Sequence, residues 1–283
     1  MSISDSRSAP PLKETLTTYA AGHFAQLASR DLINGLSRRE LWLGLALFDI
    51  KQRFRRSIIG PFWLTISTAV MLGALSLVFG TMFQQDISIF VPYMGTGLIL
   101  WGLISSVILE SGTAFTQAEG YIRNVPMPTS VHVYRMLARN IIAWSFTVVI
   151  YVAIWALFIR TISWTFLLFL PGLLIVFANL FVVSFVVAIL STRYRDIPQV
   201  VASVVQVIFF LTPVFWSIET LPNHPAFVTL NPIYHLLEIV RAPLLGKLPS
   251  PDSWIWAIVM LVVGAPIAFL LYRRAYPRIP YWV

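Results

Sequence analysis

Long apolar runs separated by short polar stretches make up most of the chain after residue 60. A helix that crosses the bilayer needs about 20 predominantly apolar residues. Six runs satisfy this requirement, at 62–83, 91–116, 141–159, 164–190, 197–216 and 254–272. Within them, Glu110 is the one residue with a formal charge. The pattern predicts an all-α, polytopic membrane domain with six transmembrane helices over residues 61–283.

A pattern with a helical period precedes the first apolar run. Apolar residues recur there at spacings of four, three, four and four, at Leu43, Leu47, Ile50, Phe54 and Ile58. This spacing places them on one helical face, while the other face carries Asp49, Gln52, Arg53 and Arg56. Amphipathic helices of this kind lie in the plane of the membrane surface. We expect an interfacial amphipathic helix over 38–60, ended by Gly60-Pro61, because proline suits the first turn of the next helix.

The first 37 residues carry no comparable pattern. They are polar, contain Pro10-Pro11 and show little apolar periodicity, which is typical of a mobile or loosely packed segment. They also lack an apolar run followed by a small-residue cleavage site, so we expect no signal peptide. The prediction for residues 1–37 is an N-terminal cytoplasmic arm.

The stretch 217–253 combines six prolines with apolar runs too short to cross a bilayer. One run, IYHLLEIV, is expected to be helical from Asn231-Pro232 onward, because asparagine caps helices and proline suits their first turn. Short apolar segments between spans are typical of re-entrant structure. We therefore predict an external re-entrant helical hairpin between spans five and six. On its helix, the residues at three-residue spacing are expected to pair with one another, namely His235, Glu238 and Arg241.

Composition supports the membrane prediction. Charged residues make up 11% of the chain and hydrophobic residues 58%, with a mean hydropathy of +0.78, whereas soluble domains carry about 25% charged residues. The net charge of +8 does not indicate nucleic-acid binding, because the basic residues alternate with apolar spans instead of forming one water-facing surface. There is no cysteine, which excludes disulfides and thiolate chemistry.

The distribution of lysine and arginine predicts the orientation. Segments 1–61, 117–140, 191–196 and 273–283 together hold 17 of the 20 basic residues. Cytoplasmic loops are enriched in these residues. We expect both the N-terminus and the C-terminus to be cytoplasmic.

Candidate chemistry inside the spans is sparse. Glu110 raises the question of an ion or proton pathway, although its position near the end of its span favours contact with cytoplasmic water. The chain has no GxxxxGK[ST] phosphate loop, and its four histidines lie in different segments without a metal-ligand spacing, so we expect no metal site. The fifth span carries a polar stripe, Gln199, Ser203 and Gln206, followed by aromatic residues, Phe209, Phe210, Phe215 and Trp216. These residues suit either helix association and an aromatic belt or the wall of a passage for a hydroxylated substrate.

The cytoplasmic loop 117–135 has fixed bends, from one glycine and two prolines, and an apolar tip. It suits docking to a soluble partner, with an ordinary solvated loop as the alternative.

Five blocks carry a resemblance to a known family: FDIKQRFRRSIIGPFW (48–63), AEGYIRNVPMPTSVHVYR (118–135), RYRDIPQVVASVVQVIFFLTPVFW (193–216), NPIYHLLEIVRAPLLG (231–246) and RIPYWV (278–283). In this order, they resemble the membrane (permease) subunit of ABC-2 type transporters that export polysaccharides, above all the O-antigen exporters of Gram-negative bacteria. The resemblance implies a homodimer with two copies of a separate ATPase in the bacterial inner membrane. The substrate would be a glycan linked to a polyprenyl diphosphate lipid. The chain itself would bind no cofactor, and ATP and Mg would be used by the partner ATPase.

The resemblance also suggests roles for particular residues. We expect the lipid diphosphate to meet a basic cluster, Lys51, Arg53, Arg55 and Arg56, because arginine binds phosphate oxygens in bidentate fashion. Such residues also simply anchor helices to anionic lipid. The channel lining would comprise Trp63 and the polar and aromatic residues of the fifth span. ATPase coupling would rest on Glu119, Gly120, Tyr121, Ile122, Arg123 and Asn124.

Three alternatives stay open. An ABC-2 permease could carry another lipid-linked glycan, such as a capsule or teichoic acid polymer. A membrane-embedded transferase would need converging acid, base or metal residues, with candidates at Glu219, His235, Glu238 and Asp252. An ion-coupled transporter would need ionisable groups at mid-membrane depth, for which Glu110 is isolated in the sequence.

Overall fold

A computed structural model describes residues 12–83, 86–159, 163–216 and 226–283. Within these ranges all regular secondary structure is helical, as predicted, with short 3-10 or π turns at several helix ends. The helices are α1 Leu12–Ser37, α2 Arg39–Arg53, α3 Phe62–Phe83, α4 Ile87–Ser111, α5 Glu119–Asn124, α6 Val131–Ile154, α7 Phe169–Arg193, α8 Ile197–Leu211, α9 Ala226–Thr229, α10 Pro232–Leu244, α11 Pro251–Ala275 and α12 Ile279–Trp282.

Five helices among the described residues are long and apolar enough to cross a membrane: α3, α4, α6, α7 and α11. The sixth predicted span is not confirmed, because α8 has 15 residues and therefore a length of about 22 Å at 1.5 Å per residue. The hydrocarbon core is about 30 Å thick. Residues 212–216 of the predicted span are not helical, so the helical prediction is wrong there.

The main core lies where α4, α6, α7, α10 and α11 meet. Aromatic rings fill much of it, with Tyr134 stacked on Phe181 at 5.7 Å and Phe185 edge-on to Tyr272 at 5.1 Å. A smaller apolar cluster joins α3 to α4 and α6 through Leu72 and other residues. Most of α3 lies outside both clusters, and it is the least covered of the five long helices.

Helix α6 begins ten residues before the predicted start of its span at 141. Arg135 and Arg139, which lie in this first part, are paired with acidic side chains of α2 and α4. Pairing removes the cost of holding charged groups close to the apolar region. The helix can therefore begin earlier than hydropathy alone indicates.

The C-terminal half of α1 is firmly packed. The carboxylate of Asp31, which is 6% exposed, accepts hydrogen bonds from the backbone N–H groups of Thr129 at 2.8 Å and Ser130 at 2.9 Å. It also accepts one from the Tyr272 hydroxyl at 2.6 Å. The expectation of a loosely packed arm is wrong for this half, because a buried carboxylate ties it to α6 and α11. Residues 1–11 lie outside the described residues.

Helix α2 is shorter than the interfacial helix predicted over 38–60. It ends at Arg53, and residues 54–59 form turns. Ile50 of the predicted apolar face is buried where α2 packs against α6, whereas Leu47 and Ile58 are exposed. Asp49, assigned to the polar face, points toward α6 instead. The position of α2 in the plane of a membrane surface stays a prediction.

Gly60 provides the turn from α2 into α3. Its φ angle is +62°, in the left-handed region where residues with a Cβ atom are strained. Its amide donates to the Ser57 hydroxyl at 3.0 Å, and α3 begins two residues later. The predicted start of a new helix after Gly60-Pro61 is therefore confirmed, but the preceding helix ends earlier than predicted, at Arg53.

Helix α10 begins as the sequence predicts. The Asn231 side chain accepts from the backbone N–H of Ile233 at 3.0 Å, and Pro232 occupies the first turn. The helix is buried against α4, α7 and α11, and a Cβ atom at Gly172 of α7 would lie 2.5 Å from the Ile239 carbonyl oxygen. Residues 217–225 of the predicted hairpin lie outside the described residues, and the re-entrant placement stays a prediction.

Candidate functional site

Helix α5 and the residues around it form the predicted coupling loop. The predicted residues Glu119, Gly120, Tyr121, Arg123 and Asn124 are exposed. Ile122 packs against the main core instead. The Glu119 and Arg123 side chains form an ion pair at 3.1 Å across one helical turn. A short helix with one apolar residue turned inward and the rest outward can present a fixed surface to another protein.

Two contacts fix α5 to the rest of the chain. The Arg123 guanidinium donates to the carbonyl oxygen of Val283, next to the short helix α12. On the other side, the Tyr121 ring lies 5.5 Å from the Arg135 guanidinium and 6.0 Å from the His132 ring. Helix α5 is thus held between α12 and the start of α6.

Arg135 belongs to an ionic cluster that sequence reasoning missed. Its Nε donates to Asp49 Oδ2 at 2.7 Å and its Nη2 to Asp49 Oδ1 at 2.5 Å, a bidentate pair. Arg139, one turn further along α6, donates to the same carboxylate at 3.0 Å. Asp49 is the residue through which α2 is bonded to α6.

Glu110 of α4 completes the ionic cluster. Its Oε2 atom accepts from Arg139 Nη2 at 2.8 Å and from Asn140 Nδ2 at 2.7 Å, while Arg53 Nη1 lies 3.6 Å from Oε1. An open recess of about 440 Å³ borders the cluster. Glu110 is therefore paired and partly exposed, which agrees with the sequence interpretation that it reaches water rather than serving a path through the membrane.

The environment of Asp49 is strongly cationic. Burial alone would raise the pKa of its carboxyl group, but hydrogen bonds and positive charge from Arg135 and Arg139 outweigh burial and hold the pKa below its ordinary value of 3.8. The carboxylate is thus fully ionised at neutral pH.

The predicted head-group cluster is only partly drawn into this site. Lys51, Arg53, Arg55 and Arg56 are all exposed. Of these four residues, Arg53 faces Glu110 and borders the recess. The structure adds Arg135 and Arg139 as cationic walls of the same recess. The signal in the sequence was the four-residue spacing of Arg135 and Arg139, which places both on one helical face. Asp49 and Glu110, their acidic partners, lie near the same predicted cytoplasmic boundary.

Helix α8 presents the predicted polar stripe. Gln199, Ser203 and Gln206 are exposed on a face that no other described element covers, and Phe210 is exposed beside them. Phe209 turns inward and packs against Trp101 at 5.1 Å. Phe215 and Trp216 are half-buried, and Trp63 of α3 is exposed. Polar side chains facing lipid are costly, so the stripe calls for water or another protein surface.

The end of α8 is held by side chains of α4 and α10. The Pro213 carbonyl oxygen accepts from Arg241 Nη1 at 2.6 Å and from the Tyr93 hydroxyl at 3.2 Å. Asn231 donates to the Thr212 hydroxyl at 2.8 Å. Arg241 and Tyr93 thus satisfy the backbone carbonyl where the helix stops, as irregular structure at membrane depth requires, and Asn231 holds the neighbouring side chain.

Comparison with known proteins agrees with this geometry. The sequence profile of the family described as ABC-2 type transporter matches residues 41–245. The chain belongs to the ABC-2 type transporter family. The matched residues run from α2 through α10 and include the ionic cluster, α5 and α8. This ABC-2 chain is therefore a membrane-embedded transport subunit.

The same ABC-2 chain is similar to the O-antigen export system permease protein RfbA of Myxococcus xanthus. The two sequences are 22% identical over 207 residues, which are 72% of this chain and 80% of the relative. The similarity thus extends over most of both proteins.

Two of the transferase candidates, Glu238 and His235, are bonded to other residues of this ABC-2 chain. Glu238 pairs with Arg241 at 2.8 Å, which confirms that part of the predicted pairing. The ring nitrogens of His235 instead lie 3.0 Å from the Ser253 hydroxyl and 2.8 Å from the Thr229 carbonyl oxygen. Glu219 lies outside the described residues. Within the described ranges, no group of three or more His, Asp or Glu side chains could hold a metal ion.

Proposed function

We propose that this chain is the channel-forming subunit of an ATP-driven exporter that moves a polyprenyl-diphosphate-linked polysaccharide of the O-antigen type out of the cytoplasm. Membership of the ABC-2 family supports a transport role. The observation that favours a glycan is the similarity to an O-antigen export permease over most of the chain. The few charges within the spans suit a substrate of uncharged or weakly charged sugars.

The active unit in this proposal is a homodimer. The polar stripe of α8 and much of α3 are left uncovered in one copy, and a two-fold axis beside them would enclose a passage between two copies. The passage would be lined by Gln199, Ser203, Gln206, Phe210, Phe215, Trp216 and Trp63, whereas Phe209, which the sequence also suggested, packs inward against Trp101. Hydroxyl and amide groups would bond sugar hydroxyls, while aromatic rings would stack on sugar faces.

ATP hydrolysis is assigned to two copies of a separate ATPase subunit that docks on α5. The exposed residues of α5 would contact the ATPase, and Tyr121 would pass its movement to Arg135. Arg135 in turn bonds Asp49 of α2. In this way a shift of α5 would reach the helix that precedes the first span.

The lipid diphosphate would be met by Lys51, Arg53, Arg55 and Arg56, of which Arg53 borders the recess. All four side chains are exposed, so their guanidinium and ammonium groups are available to phosphate oxygens. The basic residues also support a bacterial inner-membrane location with both termini in the cytoplasm.

Reconstitution tests the proposal. The chain would be incorporated into vesicles with its ATPase and a lipid-linked O-antigen, and movement of the glycan across the bilayer would be scored with and without ATP. We expect ATP-dependent movement that stops when the ATPase is omitted. Movement of a capsule or teichoic acid polymer in place of O-antigen would support the alternative glycan, and movement driven by an ion gradient alone would contradict the proposal.

A further inference from the structure

A second cavity runs beside the ionic cluster and carries a different chemistry. It has a volume of about 190 Å³ and lies between α3, α4 and α6. Its lining on α4 recurs every four residues from Leu98 through Gly102 and Ser106 to Glu110. Twelve residues of helix correspond to about 18 Å. The cavity is therefore a groove parallel to the helices, which we call the α4 groove.

The side chains that line the middle of the α4 groove offer no free hydrogen-bond donor. The Thr68 and Ser106 hydroxyls donate to carbonyl oxygens of their own helices at 2.9 and 3.0 Å. The Thr147 hydroxyl donates to the Trp144 carbonyl oxygen at 2.7 Å, and the Trp144 indole N–H donates to the Ile99 carbonyl oxygen at 2.9 Å. With these groups satisfied, the walls are effectively apolar. Such a groove suits a hydrocarbon chain.

One end of the α4 groove carries both a negative and a positive charge. Arg139 and Asn140 donate hydrogen bonds to Glu110, and both donate to its Oε2 atom. Within the described part of the chain, the Oε1 atom receives no hydrogen bond, and Arg53 Nη1 stands 3.6 Å away. A carboxylate oxygen that can still accept and a guanidinium that can still donate thus lie side by side at the open end.

We infer that the α4 groove is a binding site for a zwitterionic phospholipid with a primary ammonium group, phosphatidylethanolamine. The ammonium would donate to Glu110 Oε1, and the phosphate would accept from Arg53. One acyl chain would lie in the groove along Gly102 and Trp144. The site is separate from the passage proposed for the glycan, although it shares Arg53 with the basic cluster proposed to meet the lipid diphosphate.

The charge arrangement distinguishes this lipid from others in the same membrane. The choline group of phosphatidylcholine has no N–H to donate to Glu110. Phosphatidylglycerol and a polyprenyl phosphate both bring a negative charge next to the Glu110 carboxylate without an ammonium to neutralise it. Hydrogen bonds to a charged group contribute about 1.5–3 kcal/mol. We therefore expect at least about tenfold tighter binding of phosphatidylethanolamine than of phosphatidylcholine.

Native mass spectrometry of the purified full-length chain tests the inference. Phosphatidylethanolamine, phosphatidylcholine and phosphatidylglycerol with identical acyl chains, and a polyprenyl phosphate, would be titrated separately. Gly102→Leu places a side chain in the groove, where a Cβ atom meets nothing within 4 Å, and should abolish retention of phosphatidylethanolamine. Gly73→Leu on α3 is the matched control, since Gly73 also faces open space but does not line the groove.

Two head-group variants complete the test. Glu110→Gln should abolish the preference for phosphatidylethanolamine over phosphatidylcholine. Arg53→Gln, at an exposed position, should weaken the binding of all three phospholipids. Equal retention by Gly102→Leu and Gly73→Leu would overturn the site. A wild-type preference for phosphatidylglycerol or the polyprenyl phosphate over phosphatidylethanolamine would overturn the assigned lipid.

Discussion

The guanidinium of Arg241 donates to the carbonyl oxygen of Pro213 at 2.6 Å, at a position where the arginine is 1% exposed. The same side chain pairs with Glu238 at 2.8 Å and lies 4.1 Å from the centre of the Tyr93 ring. A buried arginine is stable when its donors and charge are matched in this way. Arg241 thereby anchors the point at which α8 stops.

Replacing Arg241 by glutamine should destabilise the protein strongly. The change leaves Glu238 without its partner and the Pro213 carbonyl without its shortest donor, and breaking a buried pair costs about 3–5 kcal/mol. Arg241→Lys should recover only part of this, because an ammonium lacks the planar fork of donors. Thermal unfolding of the solubilised protein measures both effects. Arg39→Gln, at an exposed position on α2, is the control, and equal melting of Arg241→Gln and the control would rule out the anchor.

The Asp49 ion pair should give stability a defined dependence on pH. The pKa of Asp49 is lowered in the folded protein, so its contribution to stability is complete at pH values well above the ordinary pKa of 3.8. The contribution is lost as the pH falls through the lower folded pKa. Asp49→Asn should cost about 1.5–3 kcal/mol at pH 7. Melting curves from pH 7 to pH 3 should show the difference between wild type and variant shrinking only below about pH 4; a difference that shrinks already near pH 6 would contradict the assignment.

Asp31→Ala should release α1 from the bundle. The substitution leaves two backbone N–H groups, of Thr129 and Ser130, and the Tyr272 hydroxyl without their acceptor. Each unsatisfied buried donor costs about 1–3 kcal/mol. Hydrogen exchange at residues 129–130 should accelerate by at least about tenfold. Asp252→Ala, at an exposed aspartate at the start of α11, should leave exchange there unchanged, and unaltered protection in Asp31→Ala would show that α1 is held by other contacts.

Adding one methyl group should distinguish a closely packed glycine of the bundle from one that faces open space. Gly172→Ala would place a Cβ atom 2.5 Å from the Ile239 carbonyl oxygen, so α7 and α10 must move apart. Overpacking of this kind costs about 1–3 kcal/mol. Gly73→Ala meets nothing within 4 Å and should melt at or slightly above the wild-type temperature. Equal melting temperatures for the two variants would contradict the close approach of α7 and α10.

Tyr121→Ala should uncouple ATP hydrolysis from transport if α5 acts through Arg135. The change removes the ring 5.5 Å from the Arg135 guanidinium without touching the Glu119–Arg123 ion pair. We expect the ATPase to bind, while the number of ATP molecules hydrolysed per glycan moved rises several-fold. Tyr121→Phe keeps the ring and should behave as wild type. Normal coupling in the alanine variant would place the contact with the ATPase elsewhere.

Local features of the fold could be predicted from the sequence, because each depends on neighbouring residues. The bounds of α3 follow from an apolar run with Gly60-Pro61 before it, and the start of α10 follows from Asn231-Pro232. The anchor of α1 could not be predicted, since Asp31 bonds to residues about 100 positions away. Because residues 1–37 are polar, the sequence predicted a loosely packed arm there.

The candidate site was predictable to a similar extent. The exposed stripe of α8 and the exposed residues of α5 lie where the sequence pattern placed them. Glu110 looked isolated because its partners, Arg139 and Asn140, belong to another helix, and hydropathy cannot register such pairing. The early stop of α8 is marked in the sequence by Thr212-Pro213, since proline ends helices, but the donors that reach the Pro213 carbonyl come from α4 and α10 and could not be predicted.

The anchored end of α8 has a consequence for how the protein is made. Tyr93 precedes α8 in the chain, but Arg241 follows Pro213 by 28 residues. A nascent chain synthesised only as far as Pro213 therefore has the Tyr93 hydroxyl available to this carbonyl oxygen but lacks Arg241, its closer donor. We expect the end of α8 to become fully anchored only after α10 has been synthesised.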